Sequence, residues 1–193
     1  MGRPAKHTID DFLDAAVAIF ADDGVRAVTL AAVAGRLGAA NGSVYYRFPD
    51  RESLLQAVWL RTAQRFRDHY TQQLGDEPGI EEAIDAAAWI VQWCRDNPAQ
   101  AQVLQAGPRT FGPDEWPAQE ADVHAGHAQL RGFVATLAEQ SLATPDEIAF
   151  ALIELPLAVV RRHLQAGRAP TDRDVELVRR LATVILSRPS PTS

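Results

Sequence analysis

The sequence predicts an all-α protein. Three observations carry that expectation. Apolar residues return at three- and four-residue steps along most of the chain, the spacing that lines one face of a helix. Alternating β-branched runs bounded by hairpin turns, which would mark strands, are missing. Threonine, aspartate, glycine and proline recur where helices start and stop. No internal repeat or low-complexity tract interrupts this pattern.

At 193 residues and 47% hydrophobic, the chain can bury a core, which sets it apart from disordered sequences. No apolar run approaches 18 residues, so no membrane span is expected. The N-terminal stretch MGRPAKHTIDD has no signal-peptide core. The single cysteine, Cys94, cannot form an intrachain disulfide and suits a reducing compartment. The chain reads as cytoplasmic.

The elements follow in order. The first helix starts at Thr8, whose hydroxyl can cap it, with Asp10 and Asp11 at the positive end of the dipole. Ile9, Phe12, Leu13, Ala16, Val17, Ile19 and Phe20 give its apolar face, and Gly24 stops it. The second starts at Thr29, with Val28 and Val33 spaced as a hydrophobic staple and Leu30, Val33, Ala34 and Leu37 inward. Gly38 ends it after about two turns. A very short third helix is expected from Asn41 to Phe48, and Asp50 caps a long fourth to about Leu74. Helices over 79–96 and 98–107 follow, then an irregular stretch at Gly107-Pro108, Gly112-Pro113 and Pro117. Further helices are expected over 118–141, from the Thr144-Pro145 cap to Gln165 with a kink or loosening at Pro156, and over 171–186. Residues 189–193 read as a disordered tail.

The most informative segment is residues 29–48, TLAAVAGRLGAANGSVYYRF. Two short helices meet at Gly38-Ala39-Ala40, where small residues allow the close crossing of a helix-turn-helix. Val44 and Phe48 sit one turn apart and pin the second helix to the core. Tyr45 and Tyr46 cannot then both be buried, because neighbours on a helix point about 100° apart. Ser43, Tyr45, Tyr46 and Arg47 offer hydroxyls, phenols and a guanidinium, groups that grip phosphates and base edges in a major groove. Charge distribution permits this role. The net charge is −6, yet residues 1–70 hold 9 basic and 8 acidic side chains, and the acidic excess lies beyond them. Arg36 reads as a solvated charge.

The assembled pattern Phe20…Gly24…Thr29…Ala34…Gly38…Gly42-Ser43-Val44-Tyr45-Tyr46-Arg47-Phe48…Asp50-Arg51-Glu52-Ser53-Leu54-Leu55 resembles the TetR family of transcriptional regulators, across about residues 8–60. The resemblance implies an N-terminal three-helix helix-turn-helix DNA-binding head over 1–50. A long helix joins it to a helical ligand-binding and dimerisation domain over 51–188. It implies a cap at Thr29 that also touches phosphate, a groove contact at Ser43, a phosphate-gripping Tyr45, DNA contacts at Tyr46 and Arg47, and a phosphate-gripping cation at Arg51. Asn41 and Gly42, which open the recognition helix, are candidate DNA contacts as well. Where members often place a capping serine this chain has Ala40, and Asn41 is expected to take over the cap. Arg47 stands where histidine is frequent and can favour guanine. The arm carrying Arg3 and Lys6 suits a narrow minor groove, with a solvated start of chain as the other reading.

Beyond the head, aromatic residues concentrate. Candidate effector-lining residues are Phe66, Trp89, Trp93, Trp116 and Phe133, with His69, Arg109, His124, His127 and Glu154 as polar groups. His124 and His127 stand at metal-compatible spacing, but no third ligand is fixed beside them and no metal or other cofactor is expected. Cys94 reads as a small buried hydrophobe rather than a redox sensor. Ile148, Leu152, Leu155, Val159 and Val160, with Val175, Leu177, Val178, Leu181, Val184 and Ile185, form apolar stripes. Such stripes can be buried within a single chain; the resemblance implies instead a homodimer built from these helices, 148–165 and 175–186. The partners implied are near-palindromic operator DNA and a small-molecule effector. Gly-rich phosphate loops, zinc-protease helices and nucleophile elbows are missing, so an enzyme is not expected. A helical enzyme or carrier that does not bind DNA is the alternative.

Overall fold

A computed structural model describes residues 7–112 and 117–187, with backbone alone for 117–127. Every described element is helical: α1 (Ile9–Asp23), α2 (Leu30–Leu37), α3 (Asn41–Tyr45), α4 (Arg51–Leu74), α5 (Ile80–Asp96), α6 (Pro98–Ala106), α7 (Pro117–Gln140), α8 (Pro145–Ala149), α9 (Leu155–Gln165) and α10 (Asp172–Leu186). Short 3₁₀ turns occupy Val25–Ala27 and Pro108–Thr110, and a π turn, Phe150–Glu154, joins α8 to α9. None of the described helices is long and apolar enough to cross a membrane. The chain packs as two units. One comprises the described residues up to Gln64 and those from Ala99 to 112; the other comprises Arg65–Pro98 and 117–187.

In the first unit, Thr8 caps α1 in a reciprocal capping box. The Asp11 amide donates to Thr8 Oγ1 at 3.2 Å, and the Thr8 amide donates to the Asp11 carboxylate at 2.7 Å. These bonds hold the Asp11 carboxyl below its ordinary range. Phe12, Leu13, Ala16, Val17 and Ile19 are buried as expected. Ile9 is not: it is 52% exposed, because the first helical residue lies a turn short of the neighbours that would cover it. Gly24 closes α1 at φ +77, donating to the Phe20 carbonyl at 2.9 Å. Thr29 caps α2, its hydroxyl accepting from the Ala32 amide at 3.1 Å, and Gly38 ends it in the left-handed conformation.

Helix α3 is shorter than expected. It ends at Tyr45, so Tyr46 and Arg47 form the turn that follows. Asn41 does not cap it. The N-cap position is Ala40 without a side-chain bond, and Asn41 is already the first helical residue. Helix α4 starts behind Asp50, which accepts from the Ser53 amide at 2.7 Å. Arg61, with its side chain 13% exposed, straps α4 to α1 by ion pairs to Asp10 at 3.0 Å and Asp14 at 2.7 Å. Phe111, fully buried, meets Phe20 at 4.9 Å between ring centroids.

In the second unit α5 is central. Ala83, Ala86, Ala87 and Ala88 are buried with Ile84, Ile90 and Val91, and this small-residue surface packs against α9 and α10. Ion pairs from Arg95 to Asp172 and from Arg179 to Asp85 edge the α5–α10 contact. Thr144 caps α8 in a second capping box with Glu147. The disturbance expected at Pro156 takes the form of the π turn just before it. The expected dimer stripe needs correction. Ile148, Leu152 and Val178 are fully buried and Val160 nearly so within this one chain, because the π turn, α9 and α10 pack against α5 while α8 packs against α7 and α10. Leu155, Val159 and Val175 are buried as well, and Leu177 and Ile185 are half-buried. What stays open is Phe150 at 43%, Leu181 at 37% and Val184 at 64%.

Candidate nucleic-acid interface

The interface is built on α3. Val44 is fully buried and Phe48 nearly so, which fixes the helix and its following turn to the core of the first unit. With those anchors inward, Tyr45 is 53% exposed and Tyr46 is 89% exposed. Two adjacent large aromatic side chains facing solvent cost apolar hydration and contribute nothing to this unit's core, which points to a surface that meets something. Asn41, Gly42 and Ser43 are exposed beside them. Ser43 donates to the Ala40 carbonyl at 2.6 Å, tightening the first turn and leaving its oxygen free to accept.

Arg47 is half-buried. Its guanidinium lies 5.7 Å from the centre of the Phe12 ring, a cation–π contact that brings α1 into the site. A hollow of about 560 Å³ opens here, lined by His7, Phe12, Gly38–Ala40, Gly42, Ser43, Tyr46 and Arg47. Among the described residues no carboxylate borders it. Thr29, half-buried, spends its hydroxyl on the α2 cap. Arg36 makes an exposed ion pair with Asp22 at 2.9 Å, a solvated charge as read from sequence.

Arg51 is placed differently from what its position suggests. Its Nε donates to the Val28 carbonyl at 2.8 Å and its Nη2 to the Val25 carbonyl at 2.5 Å. Arg3 and Lys6 lie outside the described residues.

Among the effector candidates, the structure brings Phe66, Trp89 and Trp93 together. The Phe66 ring stands 5.7 Å from Trp89 and 4.9 Å from Trp93, all three half-buried. His69 is exposed and 6.4 Å from Trp89. Sequence reasoning missed Tyr70, which is buried and stacks on Phe66 at 6.2 Å. Its signal was present, one turn after Phe66 on the same helix. Burial pushes its phenol far above the ordinary value. Arg109 does not join this cluster. It belongs to the first unit and borders a hollow of about 500 Å³ with Asp50, Arg51, Glu52 and Leu55. Phe133 is buried and Glu154 exposed. Trp116, His124 and His127 have side chains outside the described residues. Cys94 is 4% exposed and burial pushes its thiol up to about 12, which makes it inert.

A second polar constellation was also missed. Asp174 accepts from Thr171 in the α10 cap, meets His163 at 2.9 Å and accepts from Arg162 at 3.0 Å. Burial alone would raise this carboxyl. The hydroxyl and amide of Thr171 and the His163 ring outweigh it and hold Asp174 at about 2.

A glycine-hinged pair of short helices, with exposed tyrosines at the end of the second and in the turn after it, defines a helix-turn-helix. Residues 12–58 match the family described as bacterial regulatory proteins, tetR family. The match covers the helix-turn-helix head and the first residues of α4. The uncharacterized HTH-type transcriptional regulator TtgW of Pseudomonas putida is 33% identical over 82 residues, which are 42% of this chain and 61% of that protein. The alignment thus spans about three fifths of the relative's length. A TetR family transcription regulator from Marinobacter aquaeolei superposes with a TM-score of 0.71 at 20% identity, covering 92% of this chain and 94% of the other. SmeT, the repressor of the Stenotrophomonas maltophilia multidrug efflux pump SmeDEF, gives 0.68 at 18% identity, covering 97% and 98%. At these identities the solved structures establish the fold.

Proposed function

We propose that the chain is a cytoplasmic, sequence-specific DNA-binding regulator that represses transcription until a small molecule releases it. The observation that carries this reading is the Tyr45–Tyr46 pair, exposed at the end of α3 and in the turn after it, a segment that Val44 and Phe48 lock into the part of the chain matching the family's head. Thr29, Ser43, Tyr45 and Tyr46 supply phosphate and groove contacts, with Arg47 beside them. One helix of this length reads too few base pairs for specificity, so the acting species is a homodimer on a near-palindromic site, with recognition helices about 34–36 Å apart. Phe150, Leu181 and Val184, on the π turn and α10, are apolar groups left open for that dimer.

The effector site is assigned to the aromatic cluster of Phe66, Tyr70, Trp89 and Trp93, whose chemistry suits an apolar, flat molecule. Helix α4 has its first half in one unit and its second half in the other, so it is the element through which an effector would act on the head. An effector that favours a DNA-incompetent state by ~1–3 kcal/mol lowers affinity by the same factor.

Selection from random duplex DNA with the purified protein tests this reading. Recovery of a palindrome with two half-sites supports it. Weak, salt-sensitive binding with no recovered motif refutes sequence-specific regulation and favours a helical carrier.

A further inference from the structure

A cation at the start of α4 suits a phosphate contact, since a helix N-terminus attracts anions. The geometry of Arg51 points elsewhere. We propose that Arg51 is a positioning residue: it fixes the start of α2, and with it Thr29, against the turn from α1, and does not itself neutralise a DNA phosphate. This rests on the DNA-binding reading above.

The first argument is donor geometry. Nε and Nη2 form the side-on edge of the guanidinium, the pair of parallel N–H bonds that grips carboxylates and phosphates in bidentate fashion. Here that edge faces two backbone carbonyls, Val28 at 2.8 Å and Val25 at 2.5 Å. The second argument is what those carbonyls do. They bracket the Val25–Ala27 turn, whose closing bond, Val28 amide to Val25 carbonyl, is a long 3.3 Å. Val28 is fully buried and immediately precedes Thr29, the cap of α2. The fork therefore holds both ends of the turn that delivers α2. The third argument is charge. Asp50 and Glu52 flank Arg51 and line the same hollow. Hydrogen bonds from Ser53 hold the Asp50 carboxyl below its ordinary range, so it stays negative beside the guanidinium. Two carboxylates make this a poor seat for a phosphate.

The test compares the full-length wild type with Arg51→Lys and Arg51→Gln. Affinity for a random-sequence duplex is measured across a salt series, alongside amide exchange and melting temperature without DNA. Lysine keeps the charge but is a single-nitrogen point cation without the planar fork that Nε and Nη2 form. We expect both variants to lose about tenfold in affinity. We also expect an unchanged slope of log affinity against log salt, with faster exchange at the Ala32 and Val33 amides. The proposal is overturned if Arg51→Lys binds as wild type while Arg51→Gln flattens the slope by about 0.9, the mark of one lost phosphate contact. It is also overturned if the melting temperature falls while affinity and exchange hold, which is plain stabilisation. Should Arg51→Gln not fold, Arg51→Lys alone decides. A wild type that binds no duplex defeats the DNA-binding reading. Unchanged exchange in Arg51→Lys defeats this one, whatever the DNA result.

Discussion

The phenol of Tyr70 donates to the carbonyl of Leu152 at 3.3 Å, and that carbonyl lies four residues before Pro156. In a regular α-helix the Leu152 carbonyl would accept from residue 156, but proline has no N–H to give. The π turn at Phe150–Glu154 and the Tyr70 hydroxyl are two responses to the same missing donor. Tyr70→Phe should therefore lower stability by about 1 kcal/mol, the worth of one neutral hydrogen bond. That is roughly 2–4 °C in melting temperature for a chain of this size. A melting curve unchanged by the substitution would show that the phenol carries no load there.

The Asp174 network sets a pH dependence. Its carboxyl titrates at about 2 in the folded chain against an ordinary 3.8. A depressed carboxyl contributes stability that is complete above the ordinary value and is lost as pH falls through the folded one. Wild-type stability should thus decline more steeply than that of Asp174→Asn between about pH 4 and pH 2. Denaturant titrations at several pH values measure this, and parallel curves would contradict it.

Much of the architecture was legible because it is local. Thr8, Thr29 and Thr144 cap helices with groups three residues away, and Gly24 and Gly38 stop them by their own backbone conformation. That Tyr45 and Tyr46 would not both be buried followed from the angle between adjacent helical residues once Val44 and Phe48 were assigned inward; that both are exposed, with Tyr46 in the turn beyond α3, did not. What escaped depends on partners far along the chain. An apolar stripe states that a face is covered, not by what, so Ile148, Leu152 and Val178 fitted either a dimer surface or burial within one chain, and the structure buries all three within the chain. Arg51 meets carbonyls 23 and 26 residues upstream, beyond any helical spacing. Arg109 follows a Gly-Pro break, where periodicity carries no information about direction.

Val184 is 64% exposed, so replacing it leaves the buried packing untouched. Val184→Glu should keep the wild-type helicity and melting behaviour within about 0.5 kcal/mol. It should weaken self-association at least tenfold by placing charge in an apolar contact. Sedimentation equilibrium reads the association constant. An unaltered constant would remove α10 from the proposed dimer surface.

Tyr45→Phe deletes one hydroxyl from an exposed side chain without touching the core. If that hydroxyl meets phosphate, affinity should fall by about five- to tenfold for cognate and unrelated duplexes alike, with base preference retained. Fluorescence anisotropy on both duplexes distinguishes this from a base contact, which would weaken only the cognate site.

The burial of Cys94 has a practical consequence for anyone wishing to watch the molecule move. The chain's only native sulfhydryl is 4% exposed and ionises near 12. A cysteine introduced at an exposed position such as Arg180 would ionise near the usual ~8.5. Maleimide or spin-label reagents at mildly alkaline pH would then tag the new site in the otherwise unmodified protein. Interprobe distances, followed with and without candidate effectors, become accessible without first engineering away the native thiol.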